Sequence, residues 1–396
     1  MQIEPLAIPI GAKALSVLPR LAEALRGVAP IAPYAVGSPP PSLPPFAELP
    51  EDLAVVVGTS GSTGTPKLAM LTTSVLAASI GATHRHLGGP GQWLLAMPAH
   101  HIAGLQVLLR GLVAGTRTIT LDTSFTIDGF IDATRRLDPD ERHYTALVPT
   151  QVARLLAHRE GPDALRRFDA ILVGGAALPP RLRASVDEAG VVLVATYGMS
   201  ETAGGCVYDG TPIPGTRLRI EDDGRILLGT AALASGYLDD PARTAESFVI
   251  DEDGTSWFRT DDHGHLLPDG RLQVDGRLDD LINTGGLKVA PRIVEEAIAS
   301  GFPEISEVVV VGVPDEQWGQ RVSALLVMGT DRTVDPTHTN PATPPTLADM
   351  RDRLRGILPP EALPQQVATA DALPTKGPGK PDRAAIVTLL AERPVG

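Results

Sequence analysis

Short apolar runs recur along the first half of the chain, each closed by Gly, Pro or polar residues. They read LAVVV from Leu53, WLLAM from Trp93, TALVP from Thr145, AILVG from Ala170 and VVLVA from Val191. Runs this short and this continuously apolar suit strands buried on both faces. Most lead into stretches with helical spacing, at 74–87, 102–114, 150–158 and 179–189. The alternation predicts an α/β protein with a parallel sheet and helices on both sides of it. In such sheets ligands bind where loops leave the carboxyl ends of strands. The Gly-rich runs at 58–64, 174–175 and 198–205 stand at such ends.

The texture differs at both ends of the chain. Leu15, Leu18, Leu21 and Leu25 keep helical spacing, and the Pro-rich segment 28–52 reads as an extended surface connector. After about residue 210, D-G turns separate short alternating strands in TRLRIEDDGRILLG and HLLPDGRLQVDGR, an antiparallel signature. A helix near 291–300, the run EVVVVGVPD, a polar Thr/Pro-rich stretch at 329–347 and a helix near 347–357 follow. The expected division is a large domain over 1–278, of which 1–50 is a short N-terminal segment with its connector. A smaller α+β domain over 279–396 follows it.

Composition narrows the function. The chain has 396 residues, 43% of them hydrophobic, enough for more than one core. A formal net charge of -13 without a Lys/Arg block argues against a nucleic-acid partner. No apolar run reaches the ~18 residues of a membrane span, and no signal peptide is read at the N-terminus. The expected compartment is the cytoplasm. The one cysteine, Cys206, excludes an intrachain disulfide and reads as a core residue. His84, His86, His263 and His265 form H-x-H pairs. Without a Cys cluster or an H-E-x-x-H they read as surface or packing residues rather than zinc ligands.

The stretch VVVGTSGSTGTPKLAML (55–71) carries the strongest local signal. It is not a Walker A loop: Thr65 and Pro66 separate Gly64 from Lys67, and Leu68 follows the lysine. GPGKPD fails as well, because Pro381 follows Lys380. The physical content survives. Gly58, Gly61 and Gly64 let backbone amides face one concavity, and Ser60, Ser62, Thr63, Thr65 and Lys67 add hydroxyls and a cation. Together they suit a polyphosphate; the alternative is a Ser/Gly loop that binds nothing.

TSGSTGTPK (59–67), YGMSET (197–202), WFRTDDHG (257–264), GRLDD (276–280) and PTKGPGKPDR (374–383) stand in the order seen in the adenylate-forming acyl-CoA synthetases. The chain resembles that family over nearly its whole length. MPAHHIAGLQVLLRGLVAG (97–115), LVGGAALPPRL (172–182) and INTGGLKVAPRIVEEAI (282–298) resemble its o-succinylbenzoate–CoA ligase branch, in the short actinobacterial form. That branch makes 2-succinylbenzoyl-CoA in menaquinone biosynthesis. An aryl- or fatty-acid–CoA ligase, or an enzyme loading a carrier protein, are the alternatives within the same chemistry. A non-catalytic nucleotide-binding paralogue is the alternative outside it.

The resemblance implies a reaction in two halves. A carboxylate attacks the α-phosphorus of ATP to give acyl-AMP and pyrophosphate, and the thiol of coenzyme A then displaces AMP. It implies that Thr59, Ser60, Gly61, Ser62, Thr63, Gly64 and Lys67 hold the outer phosphates. Ser200 would donate to the α-phosphate and Glu201 would hold Mg2+. Gly174, Gly175 and Ala176 would lie against the adenine, with Tyr197 and Gly198 packed beside it. Asp262 would accept from the ribose hydroxyls, and Arg277 would reach the nucleotide. Here the sequence departs from the family motif, with Phe258 for Tyr and Asp261 for Gly. Asp279 matches the hinge about which the small domain turns, and Lys380 is the lysine that domain carries into the cleft. His101 would border the acid. Arg110, an arginine in an apolar helix, is a candidate for the second carboxylate, with a snorkelling arginine as the alternative. The implied partners are a small carboxylic acid, ATP and coenzyme A, and a homodimer is compatible with the sequence.

Overall fold

The computed structural model describes residues 2–44, 49–59, 67–331, 340–341, 344–376 and 380–393, with the backbone alone at 330, 331, 340, 341, 376 and 380. Strands β1 (Glu4–Ile8), β2 (Ile31–Ala35), β3 (Leu53–Gly58) and β4 (Leu68–Thr72) make the first sheet in that order. The first three run parallel, and β4 returns antiparallel to β3 with Gly58 opposite Leu68. This overturns one expectation. The LAVVV run shares no sheet with the other apolar runs, and the loop after it is a hairpin loop rather than a strand-to-helix turn. The reason is loop length. Leu68 resumes a strand at once, and a parallel return needs a crossover of a dozen or more residues. The Thr59 amide donates to the Lys67 carbonyl at 2.8 Å and closes the hairpin base.

The second sheet contains β5 (Gln92–Leu95), β6 (Ile119–Thr120), β7 (His143–Leu147), β8 (Ala170–Val173), β9 (Leu193–Met199), β10 (Gly204–Tyr208) and β11 (Thr211–Pro212). Its order is β11-β10-β9-β8-β7-β5-β6, parallel from β9 to β6 and antiparallel from β9 to β11. Helices α1 (Leu18–Leu25), α2 (Thr73–His86), α3 (Ile102–Ala114), α4 (Ile127–Thr134), α5 (Pro149–Leu156), α6 (Gly161–Leu165) and α7 (Pro180–Glu188) cover it. Strand alternation sends β5 side chains into two cores. Trp93 and Leu95 join Val55, Leu105 and Leu108 on one side. Leu94 joins Phe130, Leu155 and Ile171 on the other.

The D-G turns build a third, antiparallel sheet from β12 (Thr216–Ile220), β13 (Arg225–Thr230), β14 (Phe248–Ile250), β15 (Ser256–Leu266) and β16 (Leu272–Arg277). Helix α8 (Pro241–Ser247) lies between β13 and β14 in the chain. Beyond Asp280 come β17 (Ile282–Thr284), β18 (Leu287–Val289), β19 (Ile305–Asp315), β20 (Gly319–Met328), the ribbon β21 (Thr330–Asp331) with β22 (Asn340–Pro341), and β23 (Gln366–Thr369). Strands β17 to β20 and β23 form one sheet. It packs its own core of Ile282, Val294, Ile298, Leu326 and Met350 under α9 (Pro291–Gly301) and α10 (Leu347–Leu354). The hairpin β24 (Thr375–Lys376) with β25 (Lys380–Pro381) and helix α11 (Arg383–Ala391) end the described chain.

Helix α9 meets the rest of the molecule. The Arg292 guanidinium donates to the Val274 carbonyl of β16, and Arg181 of α7 donates to the Ser300 carbonyl at 3.2 Å. Among the described residues no helix is long and apolar enough to cross a membrane.

Candidate active site

The carboxyl ends of β3, β8 and β9 open into one cleft of about 1740 Å³, walled on its other side by β15, β16 and the start of α9. Thr59 and Lys67, the two described ends of the hairpin loop, line it. Ser60, Gly61, Ser62, Thr63 and Gly64 lie outside the described residues. The Lys67 ammonium stands 3.9 Å from Asp261 and 5.3 Å from the centre of the Tyr237 ring.

Strand β9 delivers Tyr197, Gly198 and Met199 to the cleft, and the 3-10 turn after it delivers Ser200 and Glu201. A Cβ on Gly198 would lie 2.2 Å from the Gly204 carbonyl oxygen, so the β9–β10 turn needs glycine there. The turn then buries Glu201 to 6% exposure. Its Oε1 accepts from the Tyr237 hydroxyl at 2.8 Å, and its backbone carbonyl accepts from the Ala234 amide at 2.8 Å. Burial raises the Glu201 pKa, against the Tyr237 hydrogen bond and the Lys67 charge. A carboxylate with one oxygen engaged keeps acceptor capacity on the other. That donor set fits a magnesium ion, which takes hard oxygens, few carboxylates and several waters. Among the described residues no group of three or more His, Cys, Asp or Glu could hold a metal by itself. Ser200 is buried 3.5 Å from the Gly58 carbonyl, next to the hairpin base.

The paired aspartates separate by role. Asp262 accepts from the Tyr197 hydroxyl at 2.7 Å, and burial raises its pKa while Tyr197 and Arg277 oppose the rise. The phenols of Tyr197 and Tyr237 are both pushed up by burial and by the carboxylates they face, so both stay protonated and donate. Asp261 is half exposed and gathers cations instead: Arg277 at 3.3 Å, Lys67 at 3.9 Å and Arg225 at 3.9 Å. Arg277 also holds Asp279 at 2.9 Å, and both line the cleft.

Gly175 and Ala176 line the cleft after β8. Gly174 is set back: a Cβ there would be 2.5 Å from the Thr196 hydroxyl, so its smallness serves the β8–β9 contact. His101 stands at the N-terminal boundary of α3 on the cleft wall, among Met97, Ile102, Ala103 and Val148. Its ring lies 4.2 Å from that of His100, whose pKa is lowered to about 4 by burial and then by His101. Lys380 stands in β25 opposite Lys376 of β24.

Arg110 requires a correction. It neither snorkels to solvent nor lines the cleft; at 3% exposure it sits inside α3. It donates to Thr83 at 3.1 Å and lies 5.1 Å over the Trp93 ring. Every residue from Gly104 to Gly111 of α3 is buried, so this middle stretch of the helix has no face open to water. Sequence reasoning also missed Tyr237, whose contacts with Lys67 and Glu201 are non-local.

A cleft at parallel-strand ends, flanked by a Gly/Ser/Thr hairpin, two tyrosine-bonded carboxylates and a cluster of cations, is the arrangement of an adenylate-forming enzyme. The chain belongs to the AMP-binding enzyme family, which matches residues 17–238, and the C-terminal domain of that family matches residues 294–380. It is 40% identical over 395 residues to a probable 2-succinylbenzoate–CoA ligase of Mycobacterium tuberculosis, covering 98% of both chains. It is 30% identical to the indoleacetate–CoA ligase of Aromatoleum aromaticum over 87% of this chain and 68% of that one. The o-succinylbenzoate CoA synthetase of Bacillus subtilis, solved with its acyl-adenylate, has a similar fold. Its TM-score is 0.70 at 24% identity, over 90% of this chain and 74% of that one.

Proposed function

We propose that this enzyme is an AMP-forming acid–thiol ligase converting 2-succinylbenzoate to 2-succinylbenzoyl-CoA, in the cytoplasm, at the expense of ATP. The observation that carries the reading is the 40% identity to the mycobacterial ligase along the full chain. The cleft agrees with it chemically. Met97, Ile102, Ala103 and Val148 give an apolar wall suited to an aromatic ring, with His101 at its edge.

In this reading the purine lies along Gly175 and Ala176 beside Tyr197 and Gly198, and Asp262 accepts from the ribose hydroxyls while Tyr197 orients it. Arg277 faces the same nucleotide. The hairpin loop 59–67 and Lys67 hold the outer phosphates and take up the charge that develops on pyrophosphate as it leaves. Glu201 would hold Mg2+, which neutralises phosphate charge when bound. Ser200 steadies the α-phosphate, which the substrate carboxylate attacks. Residues 279–396 move as a unit about Asp279, bringing Lys380 to the reacting carboxylate for the first half and withdrawing it for the second.

Pyrophosphate release on a panel of acids, with and without coenzyme A, tests the reading. Turnover is expected with 2-succinylbenzoate and not with benzoate or octanoate. The reverse preference would overturn the substrate assignment, and product formed on a phosphopantetheinyl carrier but not on coenzyme A would overturn the acceptor. Lys380→Ala is expected to abolish acyl-adenylate formation while sparing thioester formation from supplied acyl-AMP.

A further inference from the structure

The segment Ala234–Leu238 runs beside β4 and pairs with it at one antiparallel bridge, Ala69 opposite Tyr237. Met70 donates to the Gly236 carbonyl at 3.0 Å, Ser235 to the Met70 carbonyl at 2.9 Å and Leu238 to the Leu68 carbonyl at 2.8 Å. This places Tyr237 between two features far apart in sequence. On one side is Lys67, the end of the hairpin loop. On the other is Glu201, at the end of β9. The local sequence fixes the residue firmly. Gly236 has φ +132, and a Cβ there would be 2.5 Å from Thr244 Cγ2. The Thr244 hydroxyl instead accepts from the Tyr237 amide at 2.9 Å. The Tyr237 ring packs edge-on against Phe248 at 5.6 Å and is buried.

We propose that Tyr237 is the positioning residue of the phosphate end of the cleft. Its hydroxyl fixes Glu201 by one carboxylate oxygen, and its ring face steadies the Lys67 ammonium. Acid and cation are thereby presented together to a metal–polyphosphate, a step that rests on the ligase reading above. The two contacts use different parts of the side chain. The hydroxyl donates 2.8 Å from Oε1, and the ammonium stands 5.3 Å from the ring centroid, inside the range of a cation–π contact. A carboxylate held at one oxygen loses rotational freedom, so the other oxygen meets a metal already oriented. Outer-shell donors of this kind set ligand geometry and basicity in metal sites. Neither contact needs the acid substrate or coenzyme A.

Tyr237→Phe keeps the ring and removes the hydroxyl, whereas Tyr237→Leu removes both. Mn2+ binding to the enzyme–ATP complex, read by electron paramagnetic resonance, is expected to weaken about tenfold in Tyr237→Phe and further in Tyr237→Leu. Acyl-adenylate formation at limiting magnesium should fall in proportion and recover at high magnesium, while thioester formation from supplied acyl-AMP keeps its wild-type rate. In a Glu201→Gln background, Tyr237→Phe should add no further loss of Mn2+ affinity. Wild-type Mn2+ affinity in Tyr237→Phe, or equal loss in both half-reactions, overturns the proposal. Because Mn2+·ATP binding is measured without an acid, a failure to activate any acid would count against the ligase reading alone.

Discussion

At the cleft, the buried carboxylate of Glu201 and the half-buried one of Asp262 each hold one tyrosine hydroxyl and stand within reach of cations. Between α2, α3 and β10, the guanidinium of Arg110 is buried as deeply as Glu201, but its neighbours are the Thr83 hydroxyl, the Trp93 ring and Tyr208. Both places perturb a charge through loss of water. They differ in what faces the charge. Each cleft carboxylate borders an open volume that a charged ligand can enter. Arg110 is closed in by neutral groups and borders none. Burial and a shifted pKa therefore do not mark a binding site by themselves; access completes the signature.

The largest effect should come from removing charge at the cleft. Glu201→Gln is expected to slow acyl-adenylate formation by roughly 100-fold or more, the scale of losing one preorganised charge contact. Its stability should move the other way. A carboxyl whose folded pKa is raised contributes stability that is lost as pH rises through that pKa, so ionising Glu201 in the folded state is a cost. The variant should melt at or above the wild-type temperature. A variant that loses activity and melting temperature together would make Glu201 a structural residue like Arg110.

Acid should act on the other region. His84, buried beside Arg110, has its pKa lowered from 6.5 to about 4 by burial and then by the arginine's charge. A depressed pKa gives stability that is fully present above the unfolded value and lost as pH falls through the folded one. The window is therefore pH 6.5 down to 4, and a shift of this size corresponds to about 3 kcal/mol. Urea unfolding of wild type and His84→Leu at pH 7, 6, 5 and 4 checks it. The difference between the two should shrink or reverse by that amount across the window. A difference independent of pH would place the titration elsewhere.

A smaller change sharpens the contrast from within the cleft. Tyr197→Phe leaves the half-buried Asp262 without its donor, and hydrogen bonds to charged groups are worth ~1.5–3 kcal/mol. The KM for ATP should rise roughly tenfold with a lesser effect on kcat, since the ribose is held in both ground and transition states. An unchanged KM would take Asp262 out of nucleotide binding.

These contrasts explain what the sequence disclosed. Periodicity located α3 at Ile102–Ala114 and the β8 and β9 strand ends, because burial on both faces leaves a continuous apolar trace. Glycine and serine marked the hairpin loop, but its antiparallel return depends on pairing with β4, which shows only once Leu68 is seen to continue as a strand. The tyrosine–carboxylate pairs were hidden for a different reason. Tyr197 and Asp262 are 65 positions apart and Glu201 and Tyr237 are 36 apart, so no local pattern connects them. Arg110 gave a true signal of something unusual. The neighbouring Leu105, Val107, Leu108 and Leu109 are all fully buried, which places the arginine in the core.

Arg110→Met is the smallest expected change and bears most directly on that reading. Methionine is close to arginine in length and adapts to irregular cavities. It gives up the hydrogen bond to Thr83, but Thr83 and Tyr208 remain bonded to each other at 2.9 Å, so neither hydroxyl is orphaned. The Arg110 Nε, buried with no partner among the described residues, disappears with the charge. Replacing a buried ion by a well-packed apolar group is commonly neutral or stabilising. The unfolding free energy should therefore stay within about 1 kcal/mol of wild type or rise. Turnover of 2-succinylbenzoate and of its analogue lacking the second carboxylate should keep their ratio. Selective loss of the doubly charged acid would restore Arg110 as a recognition residue acting across the cleft wall. A stability loss of several kcal/mol, with the ratio intact, would mean that the guanidinium holds the α2–α3 contact through a partner other than Thr83, and that the two buried charges are more alike than their surroundings indicate.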